Sequence, residues 1–490
     1  MNWLRNIASN YLRFVVGLGV MAVMTPVIIN AVGLEAYGQW AIVYAAIALV
    51  SLSDLGFATA AIKFLAEAHT EGRDRTRQIT GALTVVYFAL TVLCAVIVGI
   101  IHALDVMPLV DEFLLLGISA CMTMASSVHR AYLVAVGRQD IVNSIMVAGS
   151  LLQALMTWLA LDAGYGVFGV AAAHLIAQCL QALGFIGLAI AAQFPRPDFS
   201  AIGSVTRQVA HFSIWALIAN VAFVLILRID PILIESLLSA TEVALLAIAL
   251  KVGEQALLFN KQFSNALLPL VSRNQGADRH RARADILVYT TRYLMLIAVP
   301  FTGLLAINAD DLLRLWIGES ARPAAPVLTV LALAALVSTS QFNAANINGM
   351  SGLPRFVALV MSASAMTKIA LTLSLTPGFG ILVPAMATLA AALTCEALCN
   401  IVRACRLTAT RLNHFVSVAL APAFFSATPG LVLAVRDAPA TSLTDLLATN
   451  SLYGATALAA FAVFFLGPRD REFFNFLQKD SPTCAISTAK

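Results

Sequence analysis

The chain has 490 residues, of which 60% are hydrophobic and only 11% charged, with a formal net charge of +4. A soluble globular protein carries about a quarter charged residues. No long polar region interrupts the apolar runs here, so the composition excludes a sizeable soluble domain.

In chain order, fourteen apolar runs read as membrane spans. They cover 12–32, 37–58, 79–101, 112–135, 141–161, 167–192, 212–236, 243–264, 287–307, 325–346, 355–375, 380–402, 414–435 and 447–466. A run of about 20 residues crosses ~30 Å of hydrocarbon at 1.5 Å per residue. The runs are long and do not alternate, which favours helices over a β-barrel. The first run is too long for a signal-peptide core, and no small-residue cleavage site follows it cleanly, so it reads as a retained span. The seven cysteines are odd in number and lie mostly inside apolar runs, which argues against a disulfide framework.

The chain repeats itself. Thr25-Pro26-Val27-Ile28-Ile29 is echoed by Asp230-Pro231-Ile232-Leu233-Ile234. The basic run Gly72-Arg73-Asp74-Arg75-Thr76-Arg77 is echoed by Gly276-Ala277-Asp278-Arg279-His280-Arg281. Val136-Gly137 matches Ser351-Gly352, and Gly164-Tyr165-Gly166-Val167 matches Gly378-Phe379-Gly380-Ile381. The echoes come in order at nearly constant spacing. They predict two similar membrane halves, 1–205 and 206–405, followed by two extra helices within 406–468 and a cytoplasmic tail, 469–490. Transporters are commonly built from such repeats, with the substrate site between them.

Loop charges give an orientation. Alternate loops, starting with the N-terminus, hold nearly all the lysine and arginine, including Arg5, Lys63, Arg73, Arg75, Arg77, Lys261, Arg273 and Arg403. The opposite side holds only Arg314, Arg322 and Arg436. By the positive-inside rule both termini are cytoplasmic. The tail from Asp470 is polar and reads as disordered.

No phosphate-cradling glycine-rich loop, zinc-protease motif or nucleophile triad stands out, which argues against ATP hydrolysis or catalysis by this chain. The informative residues are charges inside spans: Asp54, Arg228, Asp230, Lys251, Glu254, Lys368 and Glu396. Each is costly in hydrocarbon and is therefore a functional-site candidate. The mid-membrane cations Arg228, Lys251 and Lys368 all lie in the second half and are candidates for binding an anionic substrate, since arginine forks a phosphate and lysine supplies a point charge. Internal pairing with Asp230, Glu254 and Glu396 is the competing reading. Asp54, Asp230, Glu254 and Glu396 are candidates for coupling to a proton or sodium ion; no other cofactor and no metal site is expected. Pro26 and Pro231, at equivalent places in the repeat, are hinge candidates.

The stretch Leu34-Glu35-Ala36-Tyr37-Gly38-Gln39-Trp40, followed by Leu52-Ser53-Asp54-Leu55-Gly56, resembles the opening of the bacterial polysaccharide flippases, the O-antigen flippases among them. Arg228-Ile229-Asp230-Pro231-Ile232-Leu233-Ile234 resembles that family's seventh-helix segment, and Asn348-Gly349 with Gly352 and the Gly378–Ile381 turn resembles its tenth-to-twelfth helices. The resemblance implies an all-α polytopic fold of the multidrug/oligosaccharidyl-lipid/polysaccharide exporter superfamily: two six-helix lobes around a central cavity, plus two helices. It further implies a bacterial inner-membrane protein that turns a polyprenyl-diphosphate-linked oligosaccharide from the cytoplasmic to the periplasmic leaflet. Membrane lipid is then a partner, with a glycan polymerase or glycosyltransferases as further candidates, and nucleic acid is not. The chain departs from the family in having few cations in its first half. Two other readings stand beside this one: an ion-coupled drug exporter of the same fold, and a membrane enzyme that polymerises or ligates lipid-linked glycan.

Overall fold

The computed structural model describes residues 2–50, 61–62, 64–69, 71–200, 202–273, 279–351, 353–436, 440–468 and 470. Among them the regular structure is helical, without strands. The described residues of the spans read from the sequence are predominantly helical. The chain is a multi-pass membrane protein: among the described residues eleven helices are long and apolar enough to cross a bilayer, and two shorter apolar ones cover Leu34–Val50 and Leu217–Arg228. The chain forms two compact units, Met1–Ala247 and Ile248–Lys490.

The first unit contains α1 (Asn2–Val32), α2 (Leu34–Val50), α3 (Arg73–Ala103), α4 (Val110–Ala135), α5 (Gln139–Asp162), α6 (Gly166–Ala191), α7 (Ile202–Arg228) and α8 (Asp230–Ile234). Helix α4 packs against α3 and α6, and α1 lies along α5. The core beneath these contacts includes Phe64, Leu65, Leu83, Tyr87, Leu133 and Phe185. Polar ends tie α1 to α5: Arg5 pairs with Asp140 at 3.1 Å, and Asn143 donates to Ser9 Oγ and Asn10 Oδ1.

The next helix, α9 (Ala240–Arg273), contains the junction between the units. A capping box starts it. Ser239 N–H donates to Glu242 Oε2 at 2.9 Å, and Glu242 N–H donates back to Ser239 Oγ at 3.3 Å. This satisfies amides that helix geometry leaves without partners.

The second unit continues with α10 (Arg279–Ile307), α11 (Ala309–Trp316), α12 (Ala325–Met350), α13 (Pro354–Phe379), α14 (Leu382–Ala391), α15 (Leu398–Leu407), α16 (Leu412–Phe415), α17 (Ala421–Arg436) and α18 (Leu443–Phe464). A wide π turn, Ala392–Ala397, joins α14 to α15, and another, Val416–Leu420, joins α16 to α17. Small residues let α17 and α18 approach α10: Ala423, Ala427 and Ala457 pack on Met295, Ala298 and Val299.

Two of the expected echoes meet different fates. Gly166 and Gly380 both hold a positive φ, 54° and 66°, beside the start of the next helix, which glycine adopts without steric cost. The prolines do not match. Pro26 lies inside the uninterrupted α1, whereas the chain breaks at Ile229 and Pro231 opens the new helix α8. Ile229 itself keeps helical torsions, and Leu233 N–H still reaches its carbonyl at 3.1 Å, so the interruption beside Pro231, which has no N–H, is local. The tail also departs from expectation at its first residue. Asp470 is buried, beside Arg292 and Tyr293 of α10.

Candidate functional site

Helix α12 changes character halfway along. Apolar up to Val337, it then runs Ser338-Thr339-Ser340-Gln341-Phe342-Asn343-Ala344-Ala345-Asn346-Ile347-Asn348. Polar groups within a bilayer must find partners in the protein. Those of α12 find them in two directions.

Toward α9 and α10, Asn260 donates to Thr339 Oγ1 at 3.1 Å, Ser264 donates to Asn343 Oδ1 at 2.8 Å, and Asn346 donates to Ser264 Oγ at 3.1 Å. Asn343 reaches Thr291 Oγ1 at 3.4 Å. Toward α15, Asn348 donates to the backbone carbonyl of Asn400 at 3.1 Å, and Asn400 donates to Gln341 Oε1 at 2.9 Å. Gln341 then donates through Nε2 to Glu396 Oε2 at 3.3 Å.

Glu396 is the end point of this ladder. It sits on the π turn Ala392–Ala397, and such wide turns are frequent at functional sites. Both carboxylate oxygens accept hydrogen bonds: Oε1 from Ser364 at 2.8 Å, and Oε2 from Ser338 at 3.1 Å as well as from Gln341. Only 5% of Glu396 is exposed, and 1% of Lys368. Lys368, one turn beyond Ser364 on α13, lies within electrostatic reach of Glu396, and so does Lys261 of α9. A buried ion is tolerated only when countercharge and hydrogen bonds replace its water. Here hydroxyls, an amide and ammonium groups do so. Chemically the arrangement is a carboxylate with fixed donors and neighbouring cations, able to hold charge or to take up a proton.

The residues singled out from the sequence are distributed as follows. Glu396 and Lys368 come together. Arg228, half-buried at the end of α7, and Asp230, fully buried at the start of α8, belong to the first unit with only Ile229 between them. Lys251 and Glu254 are half-buried one turn apart on α9, in the second unit. Each of these four engages a neighbouring group. Asp54 lies outside the described residues.

Sequence reasoning missed two things. Lys261, assigned by the loop charges to the inner surface, lies well within α9, which runs on to Arg273, and within electrostatic reach of Glu396. The second is the amide and hydroxyl run of α12, which carries no ionisable group. Its signal was legible as polar residues interrupting an otherwise apolar span.

The residues at 32–326 match the family model described as polysaccharide biosynthesis protein. No curated protein matches the chain. Among solved structures, a lipid II flippase in an inward closed conformation aligns with a TM-score of 0.69 at 11% identity, covering 94% of this chain and 98% of that one. An inward-facing multidrug resistance transporter of the MOP superfamily aligns with a TM-score of 0.63 at 12% identity, covering 84% and 96%. A MOP superfamily transporter from Pyrococcus furiosus aligns at 0.61 and 12%, covering 82% and 96%. At these identities the likeness is one of fold. The chain therefore belongs to the polysaccharide biosynthesis protein family and carries that family's sequence on the fold shared by the lipid II flippase and the multidrug transporters.

Proposed function

We propose that the protein is a flippase of the bacterial inner membrane that moves a polyprenyl-diphosphate-linked oligosaccharide from the cytoplasmic to the outer leaflet by alternating access, for surface polysaccharide assembly. One observation carries this reading: a polysaccharide-family sequence on a fold that a lipid II flippase also has. The physical task is to carry a diphosphate and several sugars through hydrocarbon, where unpaired charge costs several kcal/mol per group (order of magnitude). Arg228, Lys251 and Lys368 are the candidates for answering the diphosphate. The lobes are 1–205 and 206–405, with 406–468 added and both termini on the cytoplasmic side. Pro26 and the Ile229–Pro231 break are the places where bending is cheapest. Asp54, Asp230, Glu254 and Glu396 are the coupling candidates, for a proton or a sodium ion.

The test is complementation of a flippase-deficient strain, with membrane abundance measured alongside. Arg228→Ala and Lys251→Ala should each lower surface glycan by roughly tenfold at normal abundance, the scale of one charge-assisted contact. Arg228→Lys should rescue only in part, because lysine lacks the planar fork. Full surface glycan from the Arg228→Ala, Lys251→Ala, Lys368→Ala triple variant would reject the cationic site. Normal glycan in a deletion strain without a second flippase would reject the function. The similarity to multidrug transporters favours one other reading, ion-coupled export of a drug or other small molecule. Raised drug sensitivity of the deletion strain with intact glycan would select it.

A further inference from the structure

We propose that the first unit holds a sugar-binding stripe, made by Tyr44 of α2, Gln153 of α5 and His174, Gln178 and Gln181 of α6, that takes uncharged, hydroxyl-rich rings. The proposal rests on the flippase reading above and concerns the part of the substrate that cations do not answer.

The stripe lies on the inner face of its helices. On α6 the exposed residues include Ile176, Leu180, Leu183 and Ile190, one apolar face suited to lipid. At about 100° per residue, His174, Gln178 and Gln181 fall on the opposite face. On α5 the exposed face carries Leu151, Leu155 and Leu159, and Gln153 lies opposite it. The two helices run antiparallel, with Gly149 against the Gln181 side chain and Gly169 against Ala160. That register sets Gln153 level with Gln178. A Cβ at position 149 would come within 2.4 Å of Gln181 Cδ, so the glycine leaves that amide its place. His174 joins the stripe to α2. Its ring meets the Tyr44 ring edge-on, with centroids 6.3 Å apart. The Trp40 ring stands 6.1 Å from Tyr44 on the other side of one helical turn. Helix α2 is otherwise enclosed: between Ala36 and Val50 Tyr44 alone is exposed, at 41%.

These residues differ from the polar run of α12, which neighbouring helices answer. Among the described residues the side chains of Tyr44, Gln153, Gln178 and Gln181 make no hydrogen bond, and His174 Nδ1 is buried without one. Along α6 the stripe runs from about 12 to about 22 Å past the helix start, the middle of a ~30 Å hydrocarbon layer, where no lipid headgroup reaches. Polar groups left without protein partners at that depth are costly and require a polar occupant. The chemistry of the set names the occupant. Each amide both donates and accepts, and so do the phenol and the neutral imidazole. Hydroxyls do the same, so the set matches a polyhydroxylated ring. A diphosphate asks for cations and a metal ion for several oxygen acceptors. Neither is met: α6 carries no Asp, Glu, Lys or Arg, and α5 and α2 carry theirs only near their ends, at Asp140, Asp162 and Glu35. The half-exposed Tyr44 ring adds an apolar face with a polar tip, which suits the C–H face of a sugar beside its hydroxyls.

The test is native mass spectrometry of the purified full-length protein, titrated with undecaprenyl diphosphate, either bare or carrying one N-acetylglucosamine ring. The parent should bind the sugar-bearing lipid roughly tenfold more tightly than the bare one, the scale of one net hydrogen bond. Gln178→Leu combined with Gln181→Leu should erase that difference and leave the affinity for the bare lipid unchanged. Tyr44→Ala should reduce the difference in the same direction. The double variant should melt at or above the parent's temperature, because it loses no hydrogen bond within the protein. A lower melting temperature would make the amides structural and overturn the stripe. Equal affinity of the parent for both lipids, or a difference that survives in the double variant, would overturn the stripe and leave the flippase reading standing. Binding of neither lipid would overturn the flippase reading and the stripe with it. Tetraphenylphosphonium binding that falls in Tyr44→Ala while the sugar difference stays intact would assign the ring to a drug cation instead.

Discussion

Arg292 and Asp470 form an ion pair that is nearly removed from solvent: the N···O distance is 3.5 Å, and their side chains are 8% and 4% exposed. The pair joins α10 to the segment just past α18. Tyr293 donates its hydroxyl to Asp470 Oδ1 at 2.5 Å, and Gly467 N–H donates to Oδ2 at 2.9 Å. The Arg292 guanidinium also donates to the Phe465 carbonyl and lies 5.0 Å from the Phe461 ring centroid. The first residue of the polar tail is thus the clasp that fixes the last helix.

Removing one partner of such a pair strands the other charge. Asp470→Ala should destabilise the protein by about 3 kcal/mol, read as an earlier thermal transition in detergent. Tyr293→Phe should cost about 1.5 kcal/mol, the lower end for a hydrogen bond to a charged group. A chain ending after 466 should melt no later than Asp470→Ala. Unchanged melting of Asp470→Ala would show that the clasp contributes nothing.

Gly38 marks a second close contact. A Cβ at that position would stand 2.0 Å from the Ala240 carbonyl oxygen and 3.2 Å from the Ala244 amide nitrogen. Backbone cannot step aside as a side chain can. Gly38→Ala should therefore cost about 1–3 kcal/mol as overpacking, and Gly38→Val more. Thermal melting and membrane abundance measure it. Equal stability of the alanine variant would mean that α2 and the start of α9 stand further apart than described.

The amide ladder predicts a graded response. Gln341→Leu removes one donor to Glu396 and the acceptor of Asn400 together, at a cost of about 1–3 kcal/mol. Asn348→Leu breaks only the far end, where Oδ1 already lacks a partner, and should cost less. Chemical stability of the two variants in one detergent ranks them. The reverse order would place the weight of the network on α15 rather than at Glu396.

Orientation is open to direct labelling. In a cysteine-free background, a cysteine in place of Glu319, whose side chain is 71% exposed, should react with a membrane-impermeant maleimide added to intact spheroplasts. One in place of Asp74, 96% exposed, should react only after permeabilisation. The opposite pattern would invert the topology.

The sequence by itself determined the number and approximate limits of the spans, because bilayer thickness is a fixed ruler and an apolar run either reaches across it or does not. It also carried the resemblance that the family match bears out. It marked Glu396 and Lys368 as costly residues. What only the tertiary structure decided is who meets whom. Ser338, Ser364 and Glu396 come from α12, α13 and the π turn, far apart along the chain, and periodicity describes a helix's own faces rather than the neighbour that covers them. The same reason hid Lys261, which reads as an inner-surface charge until Glu396 is found within its electrostatic reach, and Asp470, whose composition reads as tail until Arg292 is placed beside it. The break at Ile229 was equally invisible, since Pro231 is compatible with bending a helix and with starting one. Burial supplies the constraint that chain order lacks: a polar group withdrawn from water must be answered, and only the packed structure shows which side chain answers it.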